Sequence, residues 1–283
     1  MRNLFKDIKS MSDLLQQIAA AAEFIRKSWS GTPEVGIILG SGLGNLTSDI
    51  TDSVEIPYEQ IPHFPSSSVE GHKGRLILGN MNGRPVVAMA GRFHFYEGLS
   101  MQQVTFPVRV MKALGVHTLL VSNAAGGMNK AFNVGDLMII RDHINLQPEH
   151  PLRGPNNNTL GPRFPDMSEP YSKALIAKAK EIAAANSIPV HTGVYVGVQG
   201  PTFETRAEYM YMHIIGGDAV GMSTVPEVIV AIHSGMKVFA MSVITDIGIR
   251  EEENVITHEE VLEAANAAEP KLTLIFRELI KVI

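Results

Sequence analysis

No cysteine occurs anywhere in the 283 residues, which excludes disulfides, zinc–thiolate sites, iron–sulfur clusters and thiol nucleophiles. Basic charge is also short. The 24 Lys and Arg residues are outnumbered by 29 Asp and Glu, leaving a net charge of -5. That balance argues against a nucleic-acid partner, whose affinity rests on a basic surface. A few buried basic groups can still hold a small anion. No apolar stretch approaches the roughly 20 residues needed to span a bilayer, so no membrane partner is expected. Residues 1–15 are interrupted by charge every few positions and lack the apolar run of a signal peptide, which makes the cytoplasm the expected compartment. The sequon Asn45-Leu46-Thr47 would then go unused. No Gly-Lys-Ser/Thr, His-Glu-x-x-His or Gly-x-Ser-x-Gly is present, so nothing supports a Walker-type loop, a zinc hydrolase or a serine hydrolase. No metal is expected. Repeats and low-complexity linkers are absent too, and residues 1–283 read as one domain.

What is present alternates. Short apolar runs at 35–40, 75–78, 85–90, 118–122, 137–140, 190–198 and 238–244 read as buried strands. Helical stretches lie among them at 12–29, 101–114, 172–186, 206–215, 226–234 and 258–280, with Ser10 and Asp13 as a capping box for the first. Strands that are apolar throughout need cover on both faces, and interleaved helices supply it. The expected fold is α/β: a central mixed or largely parallel β-sheet flanked by helices. Residues 148–171, rich in Pro, Gly and Asn, read as a long loop with a functional or partner-contacting role.

Several strand ends carry polar or glycine-rich signals. Gly40-Ser41-Gly42-Leu43-Gly44 reads equally as a tight turn and as an anion cradle built from backbone N–H groups and a serine hydroxyl. It departs from a dinucleotide fingerprint, which needs glycine where Asn45 stands. After the strand at 85–90 come Arg92, His94 and Tyr96, which share one face if the chain stays extended and form a clamp for phosphate and hydroxyl groups. The alternative there is a solvated strand end. His72 is a lone loop histidine, and Ser122-Asn123-Ala124-Ala125-Gly126-Gly127 fits either a tight turn or close approach of backbone to ligand. Phe203 offers a flat ring and Glu204 an acceptor, although a glutamate at a helix start also serves the helix dipole. Ser223 or Thr224 can cap a helix, and Thr245-Asp246 ends the last strong strand.

Together these segments resemble the trimeric class of purine nucleoside phosphorylases over nearly the whole chain. The blocks that carry the resemblance are Ile38-Leu39-Gly40-Ser41-Gly42-Leu43-Gly44, Gly71-His72-Lys73-Gly74-Arg75-Leu76, Gly91-Arg92-Phe93-His94-Phe95-Tyr96-Glu97-Gly98, Asn123-Ala124-Ala125-Gly126-Gly127, Gly200-Pro201-Thr202-Phe203-Glu204-Thr205, and the run from Gly217 to Val228. The resemblance implies phosphorolysis of purine nucleosides with inorganic phosphate as co-substrate and no cofactor. It places Ser41, His72, Arg92, His94, Ser223 and the Ala124 backbone N–H around phosphate. Tyr96 and Met222 would contact ribose and His258 its 5′-hydroxyl, with Phe203, Glu204, Val220, Thr245 and Asp246 around the base. Of these, His94, Glu204, Asp246 and His258 are the catalytic candidates. Phe164 would enter the ribose site of a neighbouring subunit in a homotrimer.

Asp246 departs from the pattern. Members selective for inosine and guanosine carry asparagine there, whereas the related methylthioadenosine phosphorylases carry aspartate. An ionised carboxylate only accepts hydrogen bonds, so it repels O6 and suits a 6-amino group; protonated, it can donate. Glu204 favours a 6-oxopurine, whose N1–H it can accept, and His258 favours a 5′-hydroxyl. The balance of signals favours inosine and guanosine. The alternatives are an adenosine- or methylthioadenosine-preferring phosphorylase, a non-catalytic purine-binding protein, and a nicotinamide-dependent oxidoreductase resting on the glycine-rich turn alone.

Overall fold

The computed structural model describes residues 2–41, 43–66, 74–249 and 257–283. In chain order the elements are α1 (Arg2–Ser28), β1 (Val35–Leu39), β2 (Thr51–Pro57), β3 (Arg75–Met81), β4 (Arg84–Ala90), α2 (Met101–Leu114), β5 (Thr118–Gly127), β6 (Leu137–Asn145), α3 (Lys173–Ala185), β7 (Val190–Gly197), α4 (Arg206–Ile214), β8 (Ala219–Gly221), α5 (Val225–His233), β9 (Lys237–Ile247) and α6 (His258–Ile280). The strands form one mixed sheet in the order β2-β3-β4-β1-β5-β8-β7-β6-β9. β9 also pairs with β5, so β5, β8, β7, β6 and β9 close into a ring at that end of the sheet.

β4, β1, β5 and β9 run parallel to one another. Their residues alternate between two cores: Val35, Ile37 and Leu39 of β1 face one, while Ile38 faces the other. Helices α3 and α6 cover the first face, and α1, α2 and α5 the second. This two-sided burial explains why the strands read as unbroken apolar runs. Capping sets the helix ends. Ser100 accepts from the Gln103 N–H while the Gln103 side chain accepts from the Ser100 N–H, starting α2, and Thr257 and Glu260 do the same for α6.

Three expectations need correction. α1 begins at Arg2, so Ser10 lies inside the helix instead of capping it. β2 carries no apolar run because it is an edge strand with only Ile56 fully buried, and periodicity does not register it. β6 continues past Ile140 into Arg141, Asp142 and His143, where backbone pairing with β7 persists after the hydrophobic pattern stops.

Candidate active site

Parallel strands bring their C-terminal ends to one side of a sheet, and ligands in α/β folds collect there. A cavity of about 470 Å³ opens at that side. β1 delivers Ser41 to it, β4 delivers Arg92, β5 delivers Asn123 and Ala124, and β9 delivers Thr245 and Asp246. β8 exits into Met222 and Ser223, with Val220 lining the same wall. The segment between β7 and α4 adds Phe203 and Glu204, and the first turn of α6 adds His258.

On the cationic side, Gly40 lies flat on β5: a Cβ there would sit 2.8 Å from Asn123 Cα. Only glycine lets the exit of β1 lie this close to the Asn123–Ala124 backbone. Gly42 and His72 fall outside the described residues. β4 ends at Ala90, Gly91 turns the chain at φ +103°, and a 3-10 turn follows over Phe95–Glu97. The chain therefore does not stay extended, and strand alternation is not what gathers Arg92, His94 and Tyr96. The turn does that work, stacking the His94 and Tyr96 rings at 4.7 Å and 15°.

Arg92 is 1% exposed. It donates from Nε and Nη2 to the two carboxylate oxygens of Glu227, at 3.0 and 2.8 Å, and from Nη1 to the Ser122 carbonyl at 2.6 Å. Glu227 Oε2 also accepts from the backbone N–H of Thr224 (3.1 Å), which starts α5 at φ +69°. One carboxylate thus ties the guanidinium to the turn that presents Ser223. Asn123 Nδ2 donates to Thr224 Oγ1 at 2.8 Å and binds the same turn to β5. His94 contacts Glu97 through its backbone N–H (2.8 Å) and Nδ1 (3.1 Å). Burial, with the nearby Arg92 charge adding, lowers the His94 pKa, so the imidazole is held toward its neutral form. Burial pushes the Tyr96 phenol up to about 12.

On the other side, Asp246 is buried and accepts from Tyr209 Oη at 3.1 Å on Oδ2 and from Thr245 Oγ1 at 3.2 Å on Oδ1. Glu204 is not the helix-start glutamate. Thr205 caps α4 with Glu208, whose carboxylate accepts from the Thr205 N–H at 2.7 Å, leaving Glu204 to line the cavity. Burial raises the Glu204 pKa, and the Asp246 charge adds to the rise. Phe203 stands at the mouth, 40% exposed. Among the described residues, no group of three or more His, Asp or Glu side chains is placed to hold a metal ion, and no helix is long and apolar enough to cross a membrane.

The phosphorylase superfamily model matches residues 34–281. Purine nucleoside phosphorylase 1 of Bacillus subtilis is 52% identical over 267 residues, 94% of this chain and 97% of that protein. The chain belongs to the purine nucleoside phosphorylase family. Purine nucleoside phosphorylase of Rattus norvegicus is 50% identical over 260 residues, 89% of each chain. Solved structures of Schistosoma mansoni purine nucleoside phosphorylase superpose with a TM-score of 0.90. The inosine complex is 43% identical, covering 95% of this chain and 96% of that one; the adenosine complex is 44% identical, covering 94% and 96%.

For a purine nucleoside phosphorylase, one expected site residue lies apart from the cavity. Phe164, in the loop over 148–171, is 87% exposed and flanks a separate surface hollow with Leu152, Arg163 and Ile229. Four residues that motif reasoning passed over also contribute. Glu97 and Glu227 hold His94 and Arg92, Asn123 ties two strand ends together, and Tyr209 bonds Asp246. Glu97 stands three residues after His94 in the Gly91–Gly98 run and Glu227 three residues after Thr224 in the Gly217–Val228 run, so both spacings were legible signals. Tyr209 lies inside a helix and carried none.

Proposed function

We propose that the chain cleaves purine ribonucleosides and deoxyribonucleosides, inosine and guanosine foremost, with inorganic phosphate. The products are the free base and the α-(deoxy)ribose 1-phosphate. The observation that carries this reading is one cavity lined both by anion-suited donors (Ser41, Arg92, His94, Ser223) and by base-suited acceptors (Glu204, Asp246). A protein that only binds purines has no need of the first set.

Phosphate sits among Ser41, Arg92, His94, Ser223 and the Ala124 N–H. Ribose lies against Tyr96 and Met222, with its 5′-hydroxyl at His258. The purine lies between Phe203 and Val220 and bonds Glu204, Thr245 and Asp246. The glycosidic bond lengthens first and leaves positive charge on the sugar, as in other glycoside cleavages. The phosphate dianion stabilises that charge and captures the anomeric carbon from the opposite face, inverting it. Negative charge gathers on the departing purine, where hydrogen bonds to its ring stabilise departure. Positioning and electrostatics carry the rate, with no covalent enzyme intermediate and no cofactor. Residues 1–283 act as one domain, and three copies assemble so that Phe164 of each reaches the ribose site of a neighbour. Its exposure supports this, because a phenylalanine bare to solvent gains nothing in an isolated subunit.

The test is incubation with inosine, with and without phosphate. Phosphate-dependent release of hypoxanthine with formation of ribose 1-phosphate is expected. Release that ignores phosphate, or binding without turnover, overturns the reading.

A further inference from the structure

Tyr209 lies in α4, only 2% exposed, and lines the cavity with Glu204 and Asp246. Two glycines clear its place. A Cβ on Gly248 would sit 2.2 Å from Tyr209 Cδ1, and a Cβ on Gly126 would sit 2.9 Å from both Tyr209 Oη and Asp246 Oδ2. The ring is therefore wedged against bare backbone, and its hydroxyl donates to Asp246 Oδ2 at 3.1 Å. We propose that Tyr209 determines base selectivity: by donating to Asp246 it holds that carboxylate as an ionised acceptor, so that the site takes 6-aminopurine nucleosides as well as 6-oxopurine ones. This rests on the phosphorolysis proposed above.

The chemistry turns on one proton. A phenol carries a single hydrogen; the Tyr209 hydroxyl meets both carboxyl groups, and its geometry directs that hydrogen at Asp246 Oδ2. Burial and the two neighbouring carboxylates keep that phenol protonated, and burial favours the neutral form of Glu204. A 6-aminopurine presents an acceptor at N1 and a donor at its amino group. Glu204 as the acid donates to N1, and ionised Asp246 accepts from the amine. A 6-oxopurine presents the reverse pattern, a donor at N1 and an acceptor at O6. Ionised Glu204 then accepts from N1–H, and Asp246 carries the proton toward the base. The two arrangements differ only in which carboxyl holds the proton, so total charge is unchanged between them. Tyr209 favours the arrangement in which Asp246 is ionised, which is the one that suits the amine. The opposed signals of Glu204 and Asp246 thus describe a site that accommodates both bases.

The experiment compares kcat/KM for adenosine and inosine at saturating phosphate in the unaltered protein, Tyr209→Phe, Asp246→Asn and the double variant. The unaltered protein should release adenine from adenosine in a phosphate-dependent reaction. Tyr209→Phe should lower the adenosine-to-inosine ratio about tenfold, the usual scale for losing a hydrogen bond to a charged group, while leaving the phosphate KM in place. In the Asp246→Asn background the same change should move the ratio less than twofold. Should Tyr209→Phe not fold, Tyr209→Leu is read by the same ratio. An unchanged ratio, equal losses on both substrates, or no adenosine cleavage by the unaltered protein overturns the proposal. Inosine cleavage with an unchanged ratio removes only the role of Tyr209, whereas no phosphate-dependent cleavage of either nucleoside removes the phosphorolysis with it.

Discussion

Arg92 and Glu227 stand 135 positions apart in sequence, yet they form a two-pronged ion pair at 3.0 and 2.8 Å, with both side chains shielded from water. The pair joins the exit of β4 to the first turn of α5. It holds the guanidinium in one orientation before any anion arrives.

Breaking this pair from one side strands the other charge. Glu227→Ala should destabilise the protein by about 3–5 kcal/mol, the usual cost of an uncompensated buried charge. The double variant Arg92→Ala/Glu227→Ala should be destabilised by less than the sum of the two singles. Denaturant titration of the four proteins checks this, and strict additivity would show that the pair is not coupled. In the same set, loss of Arg92 should raise the phosphate KM at least tenfold and the inosine KM much less. Equal rises in both would remove Arg92 from phosphate binding.

His233 supplies a pH test remote from the cavity. It is buried, takes a hydrogen bond from Arg109 Nη1 on Nδ1 at 2.8 Å, and meets Asn156 Oδ1 from Nε2 at 3.2 Å. Burial, with the Arg109 charge adding, lowers its pKa from 6.5 to about 4. The unfolded chain therefore takes up this proton first as pH falls. The contribution is fully present above pH 6.5 and is lost progressively between 6.5 and about 4. His233→Asn should flatten the slope of stability against pH in that window, measured by urea melts. An identical slope would mean that His233 titrates normally in the folded protein.

Glu204 accepts from the N1–H of hypoxanthine most strongly when ionised, and burial raises its pKa above the ordinary 4.5. Hypoxanthine binding without phosphate should therefore weaken on acidification with a midpoint above 4.5. Glu204→Gln should bind weakly at every pH and lose this midpoint. Calorimetry across pH 4–7.5 decides it, and a midpoint persisting in the variant would assign the titration elsewhere.

Phe164 is bare to solvent in one subunit, so Phe164→Ala should leave monomer stability within about 0.5 kcal/mol. If it enters a neighbouring site, the inosine KM should rise while the phosphate KM holds. Sedimentation of the unaltered protein should give a trimer; a monomer with full activity would exclude a shared site.

α2 and α6 were legible to the residue, because Ser100, Gly115 and Thr257 punctuate them and their apolar faces recur at helical spacing. β2 was not, because an edge strand with a solvated face need not be apolar. The motif blocks likewise contain many of the residues that line the cavity, because strand ends carry small or polar groups where the chain must turn, although Tyr209, Thr245, Asp246 and His258 lie outside them.

Local chemistry therefore determined which residues this protein has available for phosphate and purine, and in which family they belong. Tertiary structure alone decided what state those residues are in. Glu227 under Arg92, and Tyr209 beside Asp246 over two glycines, are meetings of distant segments. Charge, proton position and rigidity in a buried site depend on such neighbours, because shielding from water magnifies each one, and no local pattern along the chain records who the neighbours are.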